Sequence, residues 1–558
     1  MRLSYAVATS LCLCLTALGV SAQASRPENG QMIYLEHSDR LVFDKDLNYD
    51  ATRGAEFQLL VGNVQFRHDD AWMYCDSAHY YQQSNSLYAF GNVRIEQGDT
   101  LFIYGKSLFY DGNRRLAQLR RDVRMEDRTM TLYTDFLDYD RTANIGYYFN
   151  GGKLVDSTNV LTSVNGRYNP ATRIALFKDS VKVEQPNFVL YTDTLKYHVE
   201  TNVASIVSHS LIYSDETVIH AFRGWYDTKK ENSLLLDRSY ICTSPRHLIG
   251  DSIFFDKAKG IGQGFGNVAM TDSSRAIRVC GDYVYSNEAQ EYLFATQRAV
   301  LQEFSGRDTL YLHSDTLECS KDSIYNVAKA FHHVRWFRSD LQGLCDSLHY
   351  HERDSVLDIV GVPIIWAQGN MVRGNLMKLY LKANADSTSL EPHYLYVEKN
   401  AAMISQEPAD TSLYNQSQGD ELKAFFKGNH LDYVEITGNT ESIYLPHDAD
   451  ENVSGLNRLE NGDTWIYITE ENKIDHIKVA PSPKGTFYPL FLVKPADKRL
   501  SKFSWPEAYR PTSKDDIFRQ PDIERGIYEE HKRPKKDNAS ADPTASPKKQ
   551  RRGGAKRR

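Results

Sequence analysis

The sequence predicts an all-β protein, an elongated array built by repetition. Three observations carry this reading. An aromatic column runs through Tyr80, Tyr110, Tyr139, Tyr168, Tyr197, Tyr226, Phe255, Tyr285, Cys319 and Tyr350, at steps of 29 to 34 residues. A second column, through Val64, Val93, Val123, Leu154, Val181, Leu211, Tyr240, Val268, Val300, Val334 and Val362, keeps the same period. Within each repeat the apolar residues alternate two by two, as in half-buried strands, and no convincing amphipathic helix interrupts them.

Taken in order, the chain opens on Met1-Arg2, an apolar run from about Tyr5 to Val20 and the small-residue pattern Ala22-Gln23-Ala24. That is the layout of a secretory signal peptide, assigned to residues 1–24. The apolar run is too short for a comfortable membrane span, so export is expected. Residues 25–61 read as an N-terminal cap and residues 62–380 as the repeat array. In "TDTLKYH", Asp193, Leu195 and Tyr197 are expected on one strand face, with Thr194, Lys196 and His198 on the other. Short runs of Val, Ile, Phe and Tyr are punctuated by Gly-Asn, Gly-Asp and Asp-Gly pairs, so each repeat should hold about three short strands. One repeat cannot bury its own apolar face, and stacking on neighbours must do so. With strands spaced about 4.8 Å apart, ten such repeats would extend on the order of 50 to 100 Å.

Beyond Leu379 the period lapses while strand patterns continue, which marks residues 381–480 as a second β-segment. Residues 481–530 are Pro-rich and aromatic and should lie extended over a surface. Residues 531–558 carry 11 Lys and Arg against Asp537 and Asp542, a local +9, and read as a disordered tail. Since the chain totals −7, residues 1–530 carry −16. So acidic a body, together with export, argues against a nucleic-acid partner.

Several constellations invite a chemical reading. Gly250-Asp251-Ser252-Ile253 resembles an esterase block with Ser252 as nucleophile, and Asp76-Ser77-Ala78-His79 and Asp346-Ser347-Leu348-His349 supply Asp-x-x-His pairs. All three lie in one repeat column, so they are structural positions, and neither catalysis nor any enzyme activity is expected. His349 and His351 share a strand face near His332-His333, but no ligand trio completes a metal site. Gly260 to Val268 is only loosely like a phosphate loop, because no helix follows it. No cofactor or metal is therefore expected. With Cys12 and Cys14 in the signal, five cysteines remain: Cys75, Cys242, Cys280, Cys319 and Cys345. They read as small apolar residues rather than a disulfide framework. Tyr110-Asp111, Tyr139-Asp140 and Tyr226-Asp227 are similar to the pairs of Tyr-Asp repeat proteins, which would make the chain a cell-envelope scaffold binding glycans or protein partners.

The apolar ladders Leu108/Tyr110, Leu137/Tyr139, Leu195/Tyr197, Ile253/Phe255 and Leu348/Tyr350 leave two possibilities. They form either an ordinary packed core or the walls of a trough that admits lipid chains.

"GNVRI", "GKSLFYD", "TDTLKY", "GNMVRGNLMKLYL" and "YNQSQGDELKAFFKGNHLDYVEITGNTESIYL" resemble the OstA-like (organic-solvent-tolerance) family, which includes the LptA type of lipopolysaccharide-transport protein. The resemblance spans roughly Gln31 to Val479. It implies a β-jellyroll whose two sheets form a V-shaped trough, with lipopolysaccharide acyl chains bound inside. It also implies a periplasmic location, possible end-to-end self-association, and partners in an inner-membrane extraction complex and an outer-membrane translocon. The chain is much longer than a minimal bridge of this kind.

Overall fold

The computed structural model describes residues 32–519, apart from 43, 45–47, 384–389, 429, 449, 451 and 472. The signal-peptide segment and the basic tail lie outside the described residues. Two compact units divide the chain, one ending at Asp215 and the other beginning at Glu216. Among the described residues, both consist of antiparallel strands and turns, with only four 3-10 turns near the C-terminal end. No helix among them is long and apolar enough to cross a membrane.

In the N-terminal unit the strands Ala71–Tyr81, Ser86–Gln97, Leu101–Asp111, Leu116–Glu126 and Thr131–Asp140 follow one another as a meander, each paired with the one before. One 29-residue period is thus two long strands, which corrects the expected three short ones. Further on, a long strand breaks in two: Ile145–Tyr148 and Gly152–Val155 both pair with Thr131–Asp140.

What sequence reading takes for a turn between strands is a bulge within one. Gly91 (φ 72°) and Asn92 (φ 45°) both adopt left-handed backbone in the middle of Ser86–Gln97, and the register shifts between Phe90 and Val93. Such bulges bend the strand and sharpen its twist. The side chain of Asn92 donates from Nδ2 to Asp76 Oδ2 (2.9 Å) on the neighbouring strand. Glycine is required at position 91, because a Cβ there would sit 2.3 Å from Asp76 Oδ2. The staple recurs as Asn63 on Asp39 (3.0 Å), Asn267 on Asp251 (2.7 Å) and Asn439 on Asp420 (3.1 Å).

The bulge also changes which residues face inward. In Phe188–His198, Phe188, Leu190 and Thr192 are buried, and then Leu195 and Tyr197 are. The inward phase slips at Asp193, opposite the left-handed pair Asp179-Ser180. Asp193 is consequently exposed, not on the buried face of Leu195 and Tyr197, because alternation holds only up to each bulge. The second column slips likewise: Ile212 is buried in place of Leu211, and Val362 is itself a bulge residue (φ 54°).

In the C-terminal unit the strands lengthen, reaching Leu390–Gln406, Tyr414–Lys427, His430–Tyr444 and Gly455–Ile468. This lengthening is why the 29-residue period is lost there. A strap follows. Gln416 and Gln418, both buried, exchange hydrogen bonds with it: Gln416 with Lys498 O (2.8 Å) and Leu500 N (2.9 Å), Gln418 with Ser501 Oγ (3.0 Å) and Lys502 N (3.1 Å). Phe503, Trp505 and Tyr509 pack on the cluster of Leu344, Ile364, Trp366, Met371, Ile404 and Tyr414.

Candidate functional site

Ser252 begins the strand Ser252–Asp256 and pairs in register with Leu236 and Phe265. Among the described residues its hydroxyl has no histidine or carboxylate hydrogen-bond partner. Asp251 accepts from Asn267 and from Arg238 (3.1 Å), which hold its carboxyl below the usual range. His79 is stacked on Phe57, with ring centroids 4.1 Å apart. The supposed triad members are bulge staples and packing residues.

The histidines have the same explanation. His332 and His333 are a left-handed bulge pair, and each reaches the carboxylate that an asparagine reaches elsewhere: His332 lies 3.3 Å from Asp346, His333 2.7 Å from Asp315. His349 packs edge-on against Phe331, and His351 lies 3.7 Å from Asp358. No group of three metal-ligand side chains assembles among the described residues. Gly260 to Val268 forms no phosphate loop: it runs from a turn into the strand Ile261–Asp272. All five described cysteines are free thiols.

The Tyr-Asp pairs divide their labour. Tyrosine points into the core, while aspartate accepts from the backbone of the next hairpin turn. Asp111 takes Asn113 N (3.0 Å) and Arg114 N (3.1 Å), Asp140 takes Thr142 N (2.8 Å) and Ala143 N (3.0 Å), and Asp227 takes Lys229 N (3.0 Å) and Lys230 N (2.9 Å). These are Asx turns, which gives the aspartate of each pair a structural role in the hairpin.

What remains is the interior. In the N-terminal unit, Leu108, Tyr110, Leu137, Tyr139, Leu195 and Tyr197 are all buried, none more than 3% exposed. Their phenols are satisfied from within. Arg141 Nη1 donates to Tyr110 (2.8 Å), Tyr139 donates to Gln97 (3.1 Å), and Tyr197 donates to Asp156 (3.0 Å) while accepting from Asn159 (2.8 Å). Burial raises the pKa of Tyr110 and Tyr139.

In the C-terminal unit Ile253 and Leu348 are buried, but Phe255, Tyr285, Cys319 and Tyr350 are only half-buried. The aromatic column fails at Cys319. The strands beside it place Leu293 and Ala328 opposite, and beneath lies a cavity of about 160 Å³. Its apolar lining includes Val279, Leu301, Leu312, Leu317, Ala330, Leu348, Tyr350 and Leu357. The charged members, Glu318 and Lys329, face each other at 3.8 Å. Cys319, which carries no ring in an otherwise aromatic column, is one of the residues lining this space, and sequence reading, which placed Cys319 in the column, did not treat the gap as a site.

Residues 30–193 match the family model described as "OstA-like protein". Over these residues the chain is similar to that family. Among solved structures it is similar to LptH, described as the LptA-homologous periplasmic component of the lipopolysaccharide transport device of Pseudomonas aeruginosa. That similarity has 12% identity over 24% of this chain and 75% of the other, with a TM-score of 0.15. Among curated proteins none matches.

Proposed function

We propose that this OstA-like chain is a periplasmic, non-enzymatic lipopolysaccharide-binding protein that serves transport to the outer membrane, taking acyl chains into its C-terminal unit. The apolar cavity beneath Cys319 carries the reading. Its wall is the Leu348/Tyr350 ladder, and no catalytic group is needed for it to work. Burial contributes about 0.8 kcal/mol per CH₂, so sheltering roughly five methylenes there contributes roughly 4 kcal/mol. The ladder Ile253/Phe255 lies in the same unit, with Phe255 half-buried. Leu108, Tyr110, Leu137, Tyr139, Leu195 and Tyr197 touch protein on every side, so acyl chains would reach them only if the walls of the N-terminal unit parted.

The OstA-like match supports the same reading, and with it an inner-membrane extraction complex and an outer-membrane translocon as partners and end-to-end self-association as a mode of bridging. Cells depleted of the protein should accumulate newly made lipopolysaccharide in the inner membrane. Normal delivery to the outer membrane after depletion would refute the transport role.

A further inference from the structure

We infer that the segment Phe487 to Leu492 is a membrane-docking knuckle that inserts into an anionic lipid surface, a site independent of the acyl-chain cavity. Phe491 is 85% exposed, more than any other large hydrophobic side chain among the described residues. With it come Leu492 at 59%, Phe487 at 53% and Leu490 at 36%, four large apolar side chains within six residues. Single exposed apolar residues need no explanation, but a contiguous group does.

The knuckle is built rather than frayed. Residues 484–489 pair with the strand Gly455–Ile468, and Val493 N closes a 3-10 turn on Leu490 O (3.2 Å). On either side Tyr488 and Val493 pack into the cluster of Leu413, Ile443, Leu445, Leu456 and Leu500. Two inward anchors thus hold the intervening Leu490, Phe491 and Leu492 outward.

Charge selects the occupant. Around the knuckle, Lys484, Lys494, Lys498 and Arg499 stand against Asp497, a local +3. The strong cationic charge comes later in the chain, where residues 531–558 carry +9. An apolar insertion followed by a polybasic segment is the two-signal combination that gives stable peripheral attachment to anionic bilayers, since one signal alone binds only marginally.

Flotation of the full chain with phosphatidylglycerol-containing vesicles, free of lipopolysaccharide, tests this apart from the transport role. Wild type should float with them and release at high salt. Phe491→Ser with Leu492→Ser should weaken binding about tenfold or more, and exchanging the Lys and Arg of 531–558 for Gln should abolish its salt dependence. Phe491→Trp should show a blue-shifted emission on vesicles. Failure of wild type to float, or a double variant floating like wild type, would overturn the proposal. So would a double variant that loses only self-association, which would assign the knuckle to a second copy of the chain.

Discussion

The two units share one repeat and treat its interior differently. In the N-terminal unit Tyr110, Tyr139, Tyr168 and Tyr197 are 3% exposed or less, and every hydroxyl has an internal partner. In the C-terminal unit the equivalent Phe255, Tyr285 and Tyr350 are half-buried and Cys319 carries no ring at all. One period therefore encodes either a sealed core or an open one, depending on how completely the aromatic column is filled. Burial of a large aromatic ring is worth several kcal/mol, so filling stabilises the unit and excludes a ligand together.

The largest effect should separate the units directly. Tyr139→Ala removes a wholly buried ring and strands Gln97 and Asn144, so it should cost about 3 to 5 kcal/mol. Tyr350→Ala, already half exposed, should cost about half as much. Hydrogen exchange followed unit by unit is the suitable measurement, because a chain with two compact units need not melt in one step. Equal losses for the two variants would erase the distinction between the interiors.

Filling the gap is the converse experiment. Cys319→Phe should stabilise the C-terminal unit by about 0.5 to 2 kcal/mol and lower acyl-chain binding. A variant that binds lipid as well as wild type would show that the cavity is not the entry point.

A smaller gain is expected at Val362, a β-branched residue held in left-handed backbone where other repeats place asparagine. Val362→Asn relieves that conformation and should stabilise by about 1 kcal/mol, seen as slower exchange in neighbouring strands.

The smallest effect concerns pH. His313 is buried, with Nδ1 2.8 Å from Ala299 O and its ring 4.8 Å from Phe518 in the strap, and facing Asp315, His333 and Arg335. Burial lowers its pKa, so the folded state favours the neutral ring. The associated stability is full above the unfolded value near 6.5 and is lost as pH falls below it. Amide protection at residues 516–519 should thus decline as pH falls below about 6.5, and His313→Gln should remove the dependence.

Much of this fold was legible in the sequence. The period, the inward tyrosines and the absence of α-helix among the described residues follow from spacing alone, and Gly-Asn pairs mark where the backbone turns left-handed. Their meaning as bulges inside strands was not legible, because a left-handed pair can end a strand or bend it, and only the partner aspartate decides. Asp193 shows the consequence: simple alternation places it with Leu195, while the bulge opposite turns it outward. The site was half legible. Leu348 and Tyr350 stood out as a ladder, but the opening depends on what Leu293, Ala328 and their neighbours leave unfilled around Cys319, a volume that no single column records.

Site-specific photo-crosslinking in cells tests the sealed and open interiors against each other most directly. Crosslinkers at Phe255, Cys319 and Tyr350 are expected to capture lipopolysaccharide, while those at Tyr110 and Tyr139 capture none. Equal capture at Tyr110 and Tyr350, or capture only at outward positions such as Lys196, would contradict an acyl-chain site confined to the C-terminal unit.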